Sequence, residues 1–351
     1  MSKILEQISR QYNQELPFVC YRKPKGATLY AYLNKTDELH YSSAYEEQGF
    51  LFAPFDDREK AIIFRHQDAE VLEEPVRTYE TDDSKIKLGT PSSSEADHKS
   101  LVHSGVEAIE NGMFSKVVLS RKEISELKNF NFLEVFKALL NTYDNAFAYV
   151  WYHPKVGMWM GATPERLVSL ENNKFKTMAL AGTQAFEGDA NPDWGEKERQ
   201  EHQFVVDYIV DQIQNPTNGI ILKDFRVSET YTSKAGNLLH LKADIEGEIG
   251  DFNLKELLKT LHPTPAVCGL PKEAAKQFIL ENEYYKRSFY TGFLGEINVQ
   301  ESTELFVNLR CAKFSEDQVS IYVGGGITRD SDPDKEWIET IRKTQTIKRV
   351  L

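Results

Sequence analysis

The sequence is short of cysteine, of positive charge and of long apolar runs. Its three cysteines, Cys20, Cys268 and Cys311, lie far apart, with no CxxC pair and no histidine-rich spacing. That argues against a structural zinc module of the usual kind and fits a reducing compartment. No stretch is apolar enough to span a membrane, and the opening Met1-Ser2-Lys3-Ile4-Leu5-Glu6 carries charges inside its apolar pattern, unlike a signal segment. A cytoplasmic protein with no membrane partner is expected. Lysine and arginine number 42 against 54 acidic residues, a net charge of −12, which argues against a nucleic-acid surface as partner. A small anion stays compatible, because local positive charge at a site can oppose the overall balance.

What is present is a mixed chain of 351 residues, 40% hydrophobic and 27% charged, long enough for a substantial core. A single domain over 1–351 is expected, since large mixed sheets often run this long as one unit. The pattern predicts a helix over 3–14, then short extended runs at Phe18–Tyr21, Leu29–Leu33, Leu39–Ser42, Phe50–Pro54 and Ala61–Arg65. Asp68 to Ser94 is acidic and polar and reads as a connection. A helix from Glu95 to Asn111 leads to a strand, Ser115–Arg121, with Lys116, Val118 and Ser120 on one face. A helix over 132–142 precedes strands at Ala146–Tyr152 and Gly157–Gly161 and a hairpin turning at Asn172-Asn173. Glu196–Gln214 is the best helix, followed by strands at Gly219–Phe225 and Leu239–Ile245 and helices over Asn253–Leu261 and to Asn282. Strands at Phe289–Glu296 and Glu304–Phe314 come last, the second placing Arg310 in alternation with Asn308 and Ala312.

Several positions have chemical potential. Val319–Val323 runs into Gly324-Gly325-Gly326 and then a helix start at Asp332-Pro333, a pattern suited to cradling an anion. On that helix Glu336, Glu339 and Lys343 fall within roughly 60° of one another, at about 100° per residue. The pair of carboxylates suggests a divalent cation; a solvated face with a Glu339–Lys343 pair explains the same spacing. Lys116, if held in a desolvated cleft, could serve as a base, or it could reach water from the strand's start. Glu165 falls in a tight connection at a strand end, where catalytic acids are often found. Glu201 and His202 begin the buried stripe of their helix, where a lone carboxylate is costly unless paired or metal-bound, whereas Glu198 reads as an acid favoured by the helix dipole. His262, between a helix end and a Pro-rich turn, either partners the helix end or faces a site.

These residues occur in order as Lys116-Val-Val-Leu-Ser-Arg121, Thr163-Pro-Glu165, Leu180-Ala-Gly-Thr183, Glu198…Glu201-His202, Leu261-His-Pro263, Tyr290-Thr-Gly292, Leu309-Arg-Cys-Ala312, Gly324–Ile327 and Glu336-Trp-Ile-Glu339…Lys343. Together they resemble the chorismate-utilising enzymes, over about residues 95–350, with 1–94 as that family's variable N-terminal part. The resemblance implies an α+β fold of four layers, α/β/β/α, with two large packed sheets, outer helices and the site in a cleft between the sheets. It implies Lys116 as base and Glu165 as acid, with Mg²⁺ at Glu201, Glu336 and Glu339. The substrate, chorismate, would meet Gly182, Thr183, His262, Tyr290, Arg310, Gly325, Gly326 and Lys343. Family members that use ammonia usually carry glutamine at the Lys116 position, and aminodeoxychorismate enzymes a lysine at the Ala181 position. This chain therefore looks like a water-using member: isochorismate synthase, with salicylate synthase and a non-catalytic anion-binding module as alternatives. A monomer without a glutamine amidotransferase subunit is expected, and the menaquinone, siderophore and salicylate routes stay open.

Overall fold

Alternation along the strands decides the architecture. The computed structural model describes residues 2–81, 86–92, 94–186, 188–189, 192–215, 220, 222–236, 238–250 and 252–351. The chain opens with α1 (Lys3–Asn13), β1 (Phe18–Arg22), β2 (Thr28–Asn34), β3 (Tyr41–Ser42), β4 (Gly49–Ala53), β5 (Ala61–Arg65) and β6 (Ala69–Pro75). It continues through β7 (Lys87–Leu88), α2 (Glu95–Glu110), β8 (Lys116–Lys128), α3 (Phe132–Thr142), β9 (Phe147–His153), β10 (Gly157–Thr163), β11 (Arg166–Glu171) and β12 (Lys174–Ala185). Next come α4 (Glu196–Gln214), β13 (Leu222–Val227), β14 (Tyr231–Ala235), β15 (Leu238–Ile249), α5 (Leu254–Leu261), β16 (Gly269–Leu270) and α6 (Lys272–Asn282). It closes with β17 (Phe293–Val299), β18 (Ser302–Val307), β19 (Cys311–Phe314), β20 (Gln318–Ile327) and α7 (Pro333–Lys348).

The strands form two ten-stranded antiparallel sheets. The first runs β16-β8-β20-β19-β10-β9-β1-β2-β6 with β7 on β8; the second runs β13-β15-β12-β11-β18-β17-β4-β5-β3 with β14 on β15. Successive side chains of β1 and β9 serve opposite faces. Phe18, Cys20, Ala148 and Val150 pack in the layer with α1 and α3, while Val19, Tyr21, Phe147, Tyr149 and Trp151 face the second sheet. From that sheet Phe50, Phe52 and Phe306 meet them, with Phe147 and Phe306 ring centroids 4.4 Å apart and Phe52 and Trp151 4.9 Å apart. Leu51 and Ala53 point the other way, into the layer with α4 and α5. The result is the expected α+β arrangement of helix, sheet, sheet and helix, with an aromatic layer at its centre.

The expected single strand Glu304–Phe314 is in fact two. β18 belongs to the second sheet and β19 to the first, and the chain crosses between them at Asn308–Arg310, where Arg310 takes φ +50°. The apolar pattern continues through the crossing without Gly or Pro, so nothing in it marks the break. β10 and β11 cross the same way through Pro164-Glu165, and the two crossings are tied together: Ala162 N donates to Arg310 O at 3.2 Å, and Val307 N to Glu165 O at 2.9 Å. Asn308 braces them, accepting from Tyr149 Oη at 2.7 Å and donating to Phe289 O at 2.9 Å.

Other expectations are corrected too. Gly324–Gly326 do not leave the strand; they continue β20, paired with Ser120, Leu119 and Val118 of β8. Phe289–Gly292 is a turn, with Thr291 at φ +58°, and the strand begins at Phe293. The acidic connection after Asp68 contains β6, an edge strand on β2 whose glutamates keep its outer side soluble. The strand expected from Gly219 starts at Leu222 among the described residues, Gly219 lying outside them. Asn172 and Asn173 have φ of +48° and +64°, the left-handed pair a tight hairpin turn requires.

Candidate active site

Where the two crossings meet β12, β20, α4 and α7, they enclose a cavity of about 110 Å³. Glu165, Gly182, Thr183, Glu201, Arg310, Gly325, Gly326, Glu336, Glu339 and Lys343 all line it, so residues up to 178 positions apart converge on one space. Lys116 stands at its wall. It is 1% exposed, and its Nζ donates to Glu201 Oε1 at 2.8 Å.

The glycines of β20 are small for a steric reason. A Cβ on Gly326 would lie 2.8 Å from Glu201 Oε1 and 3.1 Å from Lys116 Cε, so the lysine and the glutamate occupy the space a side chain would take. At Gly325 a Cβ would lie 3.2 Å from Glu336 Oε2 and 3.9 Å from Glu339 Oε1. These carboxylates come from α7, whose start is set by Asp332 accepting from Lys335 N at 2.9 Å with Pro333 following. Glu336 accepts from Ser331 Oγ at 2.8 Å, and Lys343 Nζ bridges Glu339 Oε1 at 2.6 Å and Gly324 O at 2.9 Å.

Glu165 is a strongly perturbed acid of the site. It is 4% exposed, and burial pushes its carboxyl from 4.5 up to about 7, against the opposing pull of Lys116 and Arg310. Arg310 faces the same cavity, and among the described residues its guanidinium has no hydrogen-bond or ion-pair partner in the protein. An unpaired guanidinium in a partly desolvated space is an anion receptor.

Two expected residues lie elsewhere. His262 is not on the cavity: its Nε2 hydrogen-bonds Thr291 O at 2.8 Å, supporting the turn behind the crossing. Tyr290 is buried behind Gly324, whose Cβ would come within 3.1 Å of the tyrosine hydroxyl. Two others were missed. Glu198, read as a dipole acid, lines the cavity beside Gly182. His240 also lines it, with Nδ1 donating to Gly182 O at 2.9 Å and Nε2 left without a partner; burial lowers its pKa to about 3, with Arg310 adding to the effect. The signal for His240 was a lone imidazole in the leucine run Leu238-Leu239-His240-Leu241.

Among the described residues five carboxyls, Glu165, Glu198, Glu201, Glu336 and Glu339, thus share one site with Lys116, Arg310 and Lys343 as the cations. A further cation would relieve that imbalance, and the oxygen atoms over Gly325 suit a hard divalent ion. Among the described residues no three acidic, histidine or cysteine side chains are already drawn together as a ligand cluster. The carboxylates are held by Lys116, Lys343 and Ser331 instead.

Residues 50–351 match the model of the chorismate binding enzyme family. The chain belongs to that family. Among curated members, the Escherichia coli isochorismate synthase MenF is 30% identical over 264 residues, 72% of this chain and 59% of that protein. The Pseudomonas aeruginosa salicylate biosynthesis isochorismate synthase is 30% identical over 71% of this chain and 53% of its own length. The Bacillus subtilis isochorismate synthase DhbC is 29% identical over 73% and 67%. The matched stretch therefore spans between about half and two thirds of these relatives. In structure, the chorismate binding enzyme fold is shared with a Bacillus anthracis protein described as a 2,3-dihydroxybenzoate-specific isochorismate synthase, at a TM-score of 0.82, 23% identity and 99% coverage of both chains. The E. coli MenF structure superposes at a TM-score of 0.80, with 22% identity and coverage of 95% of this chain and 88% of that one. No helix of the described residues is long and apolar enough to cross a membrane.

Proposed function

We propose that the protein is an isochorismate synthase, converting chorismate to isochorismate by adding water at C2 and expelling the 4-hydroxyl. The observation that carries this reading is Glu165, a carboxyl buried at the sheet crossing and kept protonatable to about pH 7, in one cavity with an unpaired Arg310. A group titrating near the working pH is suited to give a proton to a departing hydroxyl. Lys116, once it holds a free amine, takes the proton from the attacking water. Each of these transfers is typically worth about 10²–10⁴-fold. Arg310 receives the enolpyruvyl carboxylate, while Lys343 and the Gly182-Thr183 backbone complete the ring-carboxylate end. Glu201 and Glu339, with Glu336, are the residues that would hold Mg²⁺. When bound, Mg²⁺ supplies positive charge opposite the ring carboxylate.

Ala181 also lines the cavity, at the position where the aminodeoxychorismate enzymes carry a nucleophilic lysine, so addition of water is favoured over covalent capture. The test is incubation of purified protein with chorismate and Mg²⁺, followed by chromatographic separation of isochorismate, salicylate and pyruvate. Isochorismate without pyruvate supports the reading. Stoichiometric salicylate and pyruvate would move it to a salicylate synthase, and unchanged chorismate would refute catalysis of this kind.

A further inference from the structure

Another cavity lies beside β8, between that strand and the start of α2. It measures about 160 Å³ and is lined by His98, Leu101, Ser120, Arg121, Lys122 and Tyr285, among others. His98 is 3% exposed, yet neither ring nitrogen has a hydrogen-bond partner among the described residues. Burying an imidazole with both polar atoms unmet is costly, and an incoming polar group would offset that cost. Burial, with Arg121 adding to it, holds the His98 pKa down at about 4, so the ring is neutral and offers one donor and one acceptor.

The lining also narrows the chemistry. The Arg121 guanidinium stacks over Trp337 at 4.3 Å, the His98 ring lies 5.9 Å from the same indole, and Lys122 sits 5.9 Å from the Tyr285 ring. The first turn of α2 adds the positive end of a helix. Opposing these are Asp97 on the rim, Glu283, already engaged by Arg287 and Ser120, and the buried Glu123, which accepts from Arg121 Nη1 at 3.2 Å and is also paired with Lys348 at 2.5 Å. A volume of about 150 Å³ is enough for one benzene-sized ring. We propose that this cavity binds a small single-ring carboxylate, its carboxylate beside Arg121 and hydrogen-bonded by His98, its ring against the aromatic wall.

Occupancy would be felt at the active site. Arg121 Nε donates to Thr340 Oγ1 at 2.8 Å, and Thr340 stands on α7 one residue after Glu339 and four after Glu336. A ligand that engages Arg121 therefore pulls on the helix carrying the carboxylates of the catalytic cavity.

Benzoate is the probe, titrated into the full chain by calorimetry with His-ring NMR as a second readout. Saturable binding is expected, weakened at least tenfold in both His98→Leu and Lys122→Glu, and retained in Lys343→Ala, whose lesion lies in the catalytic cavity. No saturable binding, unaltered affinity in both cavity variants, or loss of binding in Lys343→Ala would each overturn the site. None of these arms depends on turnover, so they stand apart from the proposed reaction. With chorismate as substrate, benzoate is expected to change kcat at constant KM in wild type but not in His98→Leu; a purely competitive pattern would overturn the coupling.

Discussion

Lys116 Nζ stands 2.8 Å from Glu201 Oε1, so the candidate base and a candidate metal ligand hold one another across Gly326. A cation binding at Glu201 and a proton on Lys116 draw on the same carboxylate. The proposed roles of the two residues are therefore coupled by geometry as well as by chemistry.

Lys116→Gln is expected to abolish water addition, a loss of about 10²–10⁴-fold in kcat, while chorismate still binds. Product chromatography measures the first and calorimetry the second. Turnover within tenfold of wild type would remove Lys116 as the base.

Glu165→Gln is expected to lose activity in both directions, because the acid of the forward reaction is the base of the reverse. In wild type the forward rate should fall as pH rises through about 7, where the Glu165 carboxyl gives up its proton. A profile flat from pH 6 to pH 8.5 would contradict the assignment.

The same carboxyl leaves a mark on stability. Its pKa is raised in the folded state, from 4.5 to about 7, so the stability it contributes is present at low pH and lost as pH rises through about 7. At about 1.36 kcal/mol per unit, ionisation costs the fold on the order of 3 kcal/mol. Glu165→Gln should therefore gain on wild type in denaturant titrations from pH 5 to pH 8.5. A constant difference across that range would show that Glu165 is not buried as an acid.

Gly326→Ala introduces a Cβ 2.8 Å from Glu201 Oε1 and 3.1 Å from Lys116 Cε. The expected result is a loss of at least tenfold in kcat with a modest change in Tm, since the displaced groups are side-chain ends rather than backbone. Near-normal kcat would mean that the Lys116–Glu201 pair tolerates displacement.

Exhaustive chelation is expected to stop turnover and added Mg²⁺ to restore it, with Glu339→Gln raising the Mg²⁺ concentration needed. Full activity after chelation would sink the metal proposal.

Much of the site could be read from the sequence because its residues recur as short separated motifs. Lys116, Glu165, Glu201, Arg310, Glu339 and Lys343 all stand out in such motifs, although nothing local shows that they converge. What stayed hidden depends on long-range pairing. Arg310 reads as part of a strand in sequence, because local alternation cannot show that Glu304–Val307 and Cys311–Phe314 pair in different sheets. Glu198 at a helix start looked like an ordinary dipole acid, and only the packing of α4 on β12 turns it toward the cavity. His240 was overlooked for His262, since proximity to prolines is visible in sequence and burial opposite Gly182 is not. The edge strand β6 was lost in its own glutamates.

Glu165 and Arg310 sit on two neighbouring crossings between the sheets, so the path of both depends on how far apart the sheets are held. The space between the sheets is filled by Phe147 stacked on Phe306 and Trp151 tilted against Phe52. The aromatic layer is thus a calibrated spacer for the chemistry. Thinning it at Phe306, far from any reacting atom, would retune the reaction by bringing the two walls of the site to a different gap.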